Sequence, residues 1–169
     1  NEMRARVEGL VGGVAKGMWI GTFHGLSHRL LRMHWQDANL PENFQILDSE
    51  DQQRLIRRLM KDLEIDEDRY PPKQAQSFIN TRKDEGLRAH QVNVGHDAFS
   101  HTMQRVYQAY EETCQRGGLV DFAELLLRSL ELLRNNPELL AHYQQRFEHI
   151  LVDEFQDTNA IQYAWLSLL

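Results

Sequence analysis

A chain of 169 residues, 41% hydrophobic and 26% charged, has the size and composition of one globular domain, or of one domain carrying an insertion. No apolar run approaches the ~20 residues of a membrane span, the start Asn1-Glu2-Met3-Arg4-Ala5-Arg6 has no signal-peptide hydrophobic region, and the lone Cys114 excludes a disulfide framework, so a reducing cytoplasm is the expected setting. A net charge of −6 argues against a uniformly basic nucleic-acid binder, yet residues 1–36 carry Arg4, Arg6, Lys16, Arg29 and Arg32 against only Glu2 and Glu8.

In chain order, residues 2–11 read as the end of an amphipathic helix closed by Gly12-Gly13, and Met18 to Phe23 as a short strand. A helix opening near His24 follows, with Leu26, Leu30, Leu31 and His34 on one face, broken by Asn39-Leu40-Pro41. Asp48 to Gln52 offers N-cap residues and a Ser-x-x-Gln capping box for a helix carrying Leu55, Ile56, Leu59, Met60 and Leu63 inward. Pro71-Pro72 starts another helix, which Gly86 stops. A helix over about 98–116 turns Met103, Val106, Tyr107 and Tyr110 inward and ends at Gly117-Gly118. Asp121 caps a helix containing Phe122, Leu125, Leu126 and Leu130; Pro137 opens another that ends near Phe147. A strand at 149–153 and a last helix from about Asn159 complete the chain.

The strand 149–153 runs into the string Val152-Asp153-Glu154-Phe155-Gln156-Asp157-Thr158. An apolar, β-branched run that ends in adjacent carboxylates suits a buried parallel strand delivering acids to the carboxyl edge of a sheet, where α/β proteins bind ligands. One carboxylate can hold Mg²⁺ and the other can orient or deprotonate an attacking water. The bland alternative is an Asp-Glu pair capping the next helix.

Three segments in this order resemble the UvrD/Rep/PcrA family of superfamily 1 DNA helicases: Gly21-Thr22-Phe23-His24-Gly25-Leu26, Gly118-Leu119-Val120-Asp121-Phe122-Ala123-Glu124-Leu125-Leu126, and Val152 to Thr158. The resemblance implies a mainly α fold: a helical accessory subdomain, about 28–147, inserted into an incomplete RecA-like core formed by 1–27 and 148–169. It implies an ATP-dependent 3′-to-5′ helicase acting on single-stranded and duplex DNA, in repair and alongside other repair proteins. Asp153 would help hold Mg²⁺, and Glu154 would activate the water that attacks ATP. Gln156, Asp157 and Thr158 would lie behind them, coupling nucleotide state to nearby segments, although Asp157 and Thr158 equally suit a helix cap. Thr22, Phe23 and His24 would meet the single-stranded DNA backbone, with Phe23 either stacking on a base or packing in the core.

The pattern also has absences. No Gly-x-x-x-x-Gly-Lys-Ser/Thr loop occurs anywhere, so the phosphate cradle is missing and the chain alone is expected not to hydrolyse ATP. The chain starts and stops inside helical patterns and reads as an excised piece, whose core remnants are expected to be exposed or to self-associate. Two rivals remain open on the residues alone. One is a non-catalytic helical interaction module; the other is a metal-dependent hydrolase using Asp153, Glu154 and either Asp121 or Asp157. Among weaker signals, His24 and His28 have i, i+4 zinc-ligand spacing but no third ligand. Lys73, Arg82, Lys83 and Arg88 are candidates for duplex phosphates, and Cys114 beside Arg116 is a candidate reactive thiol or an inert one.

Overall fold

The computed structural model describes residues 20–21, 23–146, 151–152 and 167, and it is mainly helical. Two-residue β1 (Ile20–Gly21) leads into α1 (Phe23–Met33). β2 (Gln45–Leu47), α2 (Ser49–Asp62) and α3 (Pro72–Asp84) follow, then a 3-10 turn at Ala89–Gln91. The longest element, α4 (Ala98–Gly117), runs for 20 residues before β3 (Leu119–Asp121), α5 (Phe122–Asn135), α6 (Pro137–Arg146) and β4 (Leu151–Val152).

Most boundaries have local causes. Asp48 is the N-cap of α2, and its side chain accepts from the Asp51 amide at 2.8 Å. The expected Ser-x-x-Gln box therefore gives way to a cap one residue earlier: Ser49 is already helical, and its hydroxyl accepts instead from Gln76 of α3. Asp121 caps α5 as expected, accepting from the Glu124 amide at 2.7 Å. α4 ends at Gly118, whose φ of 63° and ψ of 40° are left-handed. A Cβ there would lie 2.5 Å from Cγ of Pro41, so both the conformation and the space call for glycine.

The buried side chains form two cores. Leu26, Leu30 and Leu31 of α1 pack with Leu125, Leu126 and Leu130 of α5 and with Tyr143 of α6. Leu55, Ile56 and Met60 of α2 pack with Ile79 of α3 and with Met103, Val106, Tyr107 and Tyr110 of α4. Their helical spacing is what made this inward face legible. Between the cores runs a parallel strand pair, β2 with β3, in register Gln45–Leu119, Ile46–Val120 and Leu47–Asp121. This pair was not expected. Three-residue strands leave no periodicity to read, yet Val120 feeds one core and Leu47 the other.

β1 pairs in parallel with β4, Ile20 opposite Leu151 and Gly21 opposite Val152. The segments that flank the helical body thus meet as neighbouring strands. Among the described residues, no helix is long and apolar enough to cross a membrane.

Candidate functional site

The N-terminus of α1 follows β1 closely and has no acidic residue in its first turn. The opening of a helix, with its amides and dipole, is local chemistry that suits an anionic oxygen. His24 stands in this first turn. Its ring lies 6.3 Å from that of Phe122, the planes at 89° in an edge-on contact. Phe122 is the first residue of α5 and is 50% exposed, an unusual state for a phenyl ring beside a packed core. Burial raises the pKa of the Asp84 carboxyl, at the end of α3, while the neighbouring His24 imidazole pulls it back down. An imidazole, an exposed ring and a half-buried carboxyl therefore share one surface at the opening of α1.

Behind that surface lies a buried charge network. Lys83, 2% exposed, donates to Asp121 at 2.8 Å and sits 2.9 Å from Glu124. Asp121 also accepts from the Tyr110 hydroxyl and from Gln52 at 3.4 Å. Arg88 grips Glu124 with both terminal nitrogens, at 2.6 and 2.7 Å, and reaches Glu131 at 2.6 and 2.9 Å. Arg128 adds a bond to Glu124 at 2.9 Å. Burial works against the charges of Lys83, Arg88 and Glu124, but attraction to their partners outweighs it. Glu124 is held well below the usual carboxylate pKa by Arg88 and Lys83, and Lys83 is raised by Asp121 and Glu124. Tyr110 is raised by burial and then by Asp121, so its phenol stays protonated and donates. A cleft of about 470 Å³ opens over Arg88, Glu111, Arg128 and Glu131. Arg88 and Arg128 in its wall are already paired to carboxylates, so neither offers a free charge to a ligand.

This geometry corrects one sequence expectation. Lys83 and Arg88 spend their charge on interior carboxylates, so neither is available to duplex phosphates; the same alternation of cations and acids along helices reads identically whether the side chains point in or out. Phe122, in the helix that Asp121 caps as expected, is half exposed at the first position of α5. Cys114 is buried, and its thiol is pushed up to about 12 by burial, the inert alternative. The His28 pKa is lowered by burial and then by Arg32, whose Nε donates to His28 Nε2 at 3.0 Å. Among the described residues no cluster of three or more His, Cys, Asp or Glu side chains can hold a metal.

The family model for the UvrD/REP helicase N-terminal domain matches residues 1–169, the whole chain. The chain belongs to that family. This UvrD/REP-type chain is similar to DNA helicase II of Salmonella typhimurium and of Escherichia coli, each 61% identical over 168 residues that cover 99% of this chain and 23% of the relative. It is also 37% identical over 170 residues to the ATP-dependent DNA helicase PcrA of Leuconostoc citreum, covering 99% of this chain and 23% of that one. The chain thus spans about a quarter of the length of these relatives.

Of the residues that the UvrD/REP resemblance singles out, Thr22, Asp153, Glu154, Gln156, Asp157 and Thr158 lie outside the described residues, and Phe23 is described only as the first residue of α1. His24 is placed, and it is joined by two residues that sequence reasoning missed, Phe122 and Asp84. The available signal for Phe122 was its position immediately after a capping aspartate.

Proposed function

We propose that the chain supplies part of the first motor domain of an ATP-dependent DNA helicase that translocates 3′-to-5′ on single-stranded DNA and separates duplex, in the cytoplasm and in DNA repair. The match of the family model across the whole chain, DEFQDT string included, carries this reading. The names of the relatives, DNA helicase II and PcrA, agree with it. In this reading 1–27 and 148–169 form pieces of a RecA-like core and 28–147 is the inserted helical subdomain. The parallel β1–β4 pair supports that division, because it joins strands that flank the helical body.

The reaction centre follows from the string after β4. Asp153 and Glu154 continue directly from Val152, the last residue of that strand. A carboxylate pair is a hard-oxygen donor set that fits Mg²⁺. Bound there, Mg²⁺ would neutralise charge on the phosphates of ATP. Asp153 would hold the ion, and Glu154 would orient the attacking water and accept its proton. Gln156, Asp157 and Thr158 stand next in line to transmit nucleotide state to the DNA-holding segment. The missing phosphate loop means that this chain alone turns over no ATP.

DNA meets the opening of α1. Thr22 and His24 donate to phosphate beside the positive helix end, and Phe23 and Phe122 offer rings to the bases. The exposure of Phe122 at the His24 ring supports this placement.

A strand-separation assay tests the reading. The protein at its full natural length, with ATP and Mg²⁺, is expected to unwind duplexes with a 3′ single-stranded tail and to leave those with a 5′ tail. Unwinding of neither substrate, or of the 5′-tailed one alone, would overturn it.

A further inference from the structure

We propose that the buried Lys83–Asp121 pair is the positioning element of the DNA-facing surface, holding Phe122 edge-on to His24 from behind. The inference rests on the reading that His24 and Phe122 face DNA, and it adds how that face is kept in shape. Both members of the pair are followed in sequence by a member of the surface: Asp121 by Phe122 and Lys83 by Asp84. This ion pair, 2.8 Å long and 2% and 3% exposed at its two side chains, ties the end of α3 to the start of α5, beside the 2.9 Å contact of Lys83 with Glu124. Each element then presents its next residue towards His24.

The backbone at Asp121 is constrained from several directions. Its carboxylate accepts from Lys83, from the Tyr110 hydroxyl, from Gln52 and from the Glu124 amide. Its place in β3 is set by parallel pairing with Leu47. Phe122 has no such support of its own. Half exposed at a first helical position, its ring would sample several rotamers if the preceding residue shifted. Stability alone does not account for the pair, because a buried ion pair is often no better than apolar residues of the same volume. A charged pair supplies direction instead: carboxylate and ammonium meet in few geometries, whereas two apolar side chains can slide. Lys83 and Asp121 are thus positioning residues, acting on DNA through Phe122.

The test uses the full-length protein, an oligothymidylate carrying 2-aminopurine, and the variants Phe122→Ala, Lys83→Met and their combination. Phe122→Ala is expected to weaken binding on the order of tenfold, the loss of one stacked base. Lys83→Met is expected to weaken binding several-fold and to brighten the bound 2-aminopurine, which reports a base no longer stacked. The combination is expected to bind no worse than Phe122→Ala alone, because both changes remove the same contact. If Lys83→Met fails to fold by circular dichroism, Asp121→Asn takes its place, removing the ion pair while keeping an oxygen for the Glu124 amide. Folded Lys83→Met or Asp121→Asn with unchanged DNA affinity, or losses that add in full to that of Phe122→Ala, would overturn the positioning role alone. Unchanged binding in both Phe122→Ala and His24→Ala would overturn the DNA-facing surface itself, and the positioning role with it.

Discussion

Replacing Arg88 by methionine would remove the guanidinium that holds Glu124 and Glu131 while keeping most of the side chain's bulk. The side chains involved are 13% exposed for Arg88, 5% for Glu124 and 34% for Glu131. Breaking a buried ion pair at one end costs about 3–5 kcal/mol, because the surviving charge is left in the interior. Here Glu124 keeps Lys83 and Arg128, each at 2.9 Å, and Glu131 is open enough to rehydrate. The expected cost is therefore near the lower end, about 3 kcal/mol. For a chain of this size that corresponds to a fall in Tm of roughly 6–12 °C. Urea unfolding followed by far-ultraviolet circular dichroism measures it, with an unchanged m-value confirming that stability alone has moved. The cost should depend on pH in a definite direction. Glu124 is depressed in the folded chain, so its contribution is fully present above its ordinary value of about 4.3 and disappears as pH falls below that. Arg88→Met should therefore cost less at pH 4 than at pH 7. A loss below about 1 kcal/mol, typical of a surface bridge, or a gap that does not narrow in acid, would refute the argument.

Two glycines offer a matched comparison. Gly95 and Gly118 both have positive φ, 54° and 63°, but a Cβ at Gly95 meets nothing within 4 Å, whereas one at Gly118 lies 2.5 Å from Pro41. Gly95→Ala is expected to cost about 1 kcal/mol from conformation alone and Gly118→Ala at least about 2 kcal/mol in urea unfolding; equal costs would contradict the packing assigned to Pro41. Cys114, buried and with its thiol pushed up to about 12, is expected to resist alkylation by iodoacetamide at pH 8 until the chain is unfolded. Rapid labelling of the folded chain would place the thiol at the surface instead.

The helical framework was legible because apolar spacing and local punctuation agree at each boundary. Leu55, Ile56, Leu59 and Met60 recur with helical period, Asp48 and Asp121 cap, Pro72 starts α3, and Gly118 ends α4. The β2–β3 pair was not legible, since three residues carry no period and its register is decided by packing between two cores. The charge network was hidden for a related reason. Lys83, Arg88, Glu124 and Arg128 have the composition of a solvated face, and only the approach of α3 to α5 turns them inward. Motif strings carried more of the family assignment than periodicity did. GTFH and DEFQDT pointed to the family that the whole-chain match then showed, while Phe122 and Asp84 reached the site through tertiary placement.

The role of Glu154 is the claim on which the motor reading depends most. The measurement that tests it is the ATPase rate of the full-length protein, with and without single-stranded DNA, beside a Glu154→Gln variant. DNA is expected to stimulate the parent strongly, and the variant's rate to fall by several orders of magnitude with ATP and DNA still bound. Undiminished turnover in Glu154→Gln would contradict the assignment of the water-activating carboxylate, and no ATPase in either protein would contradict the motor itself.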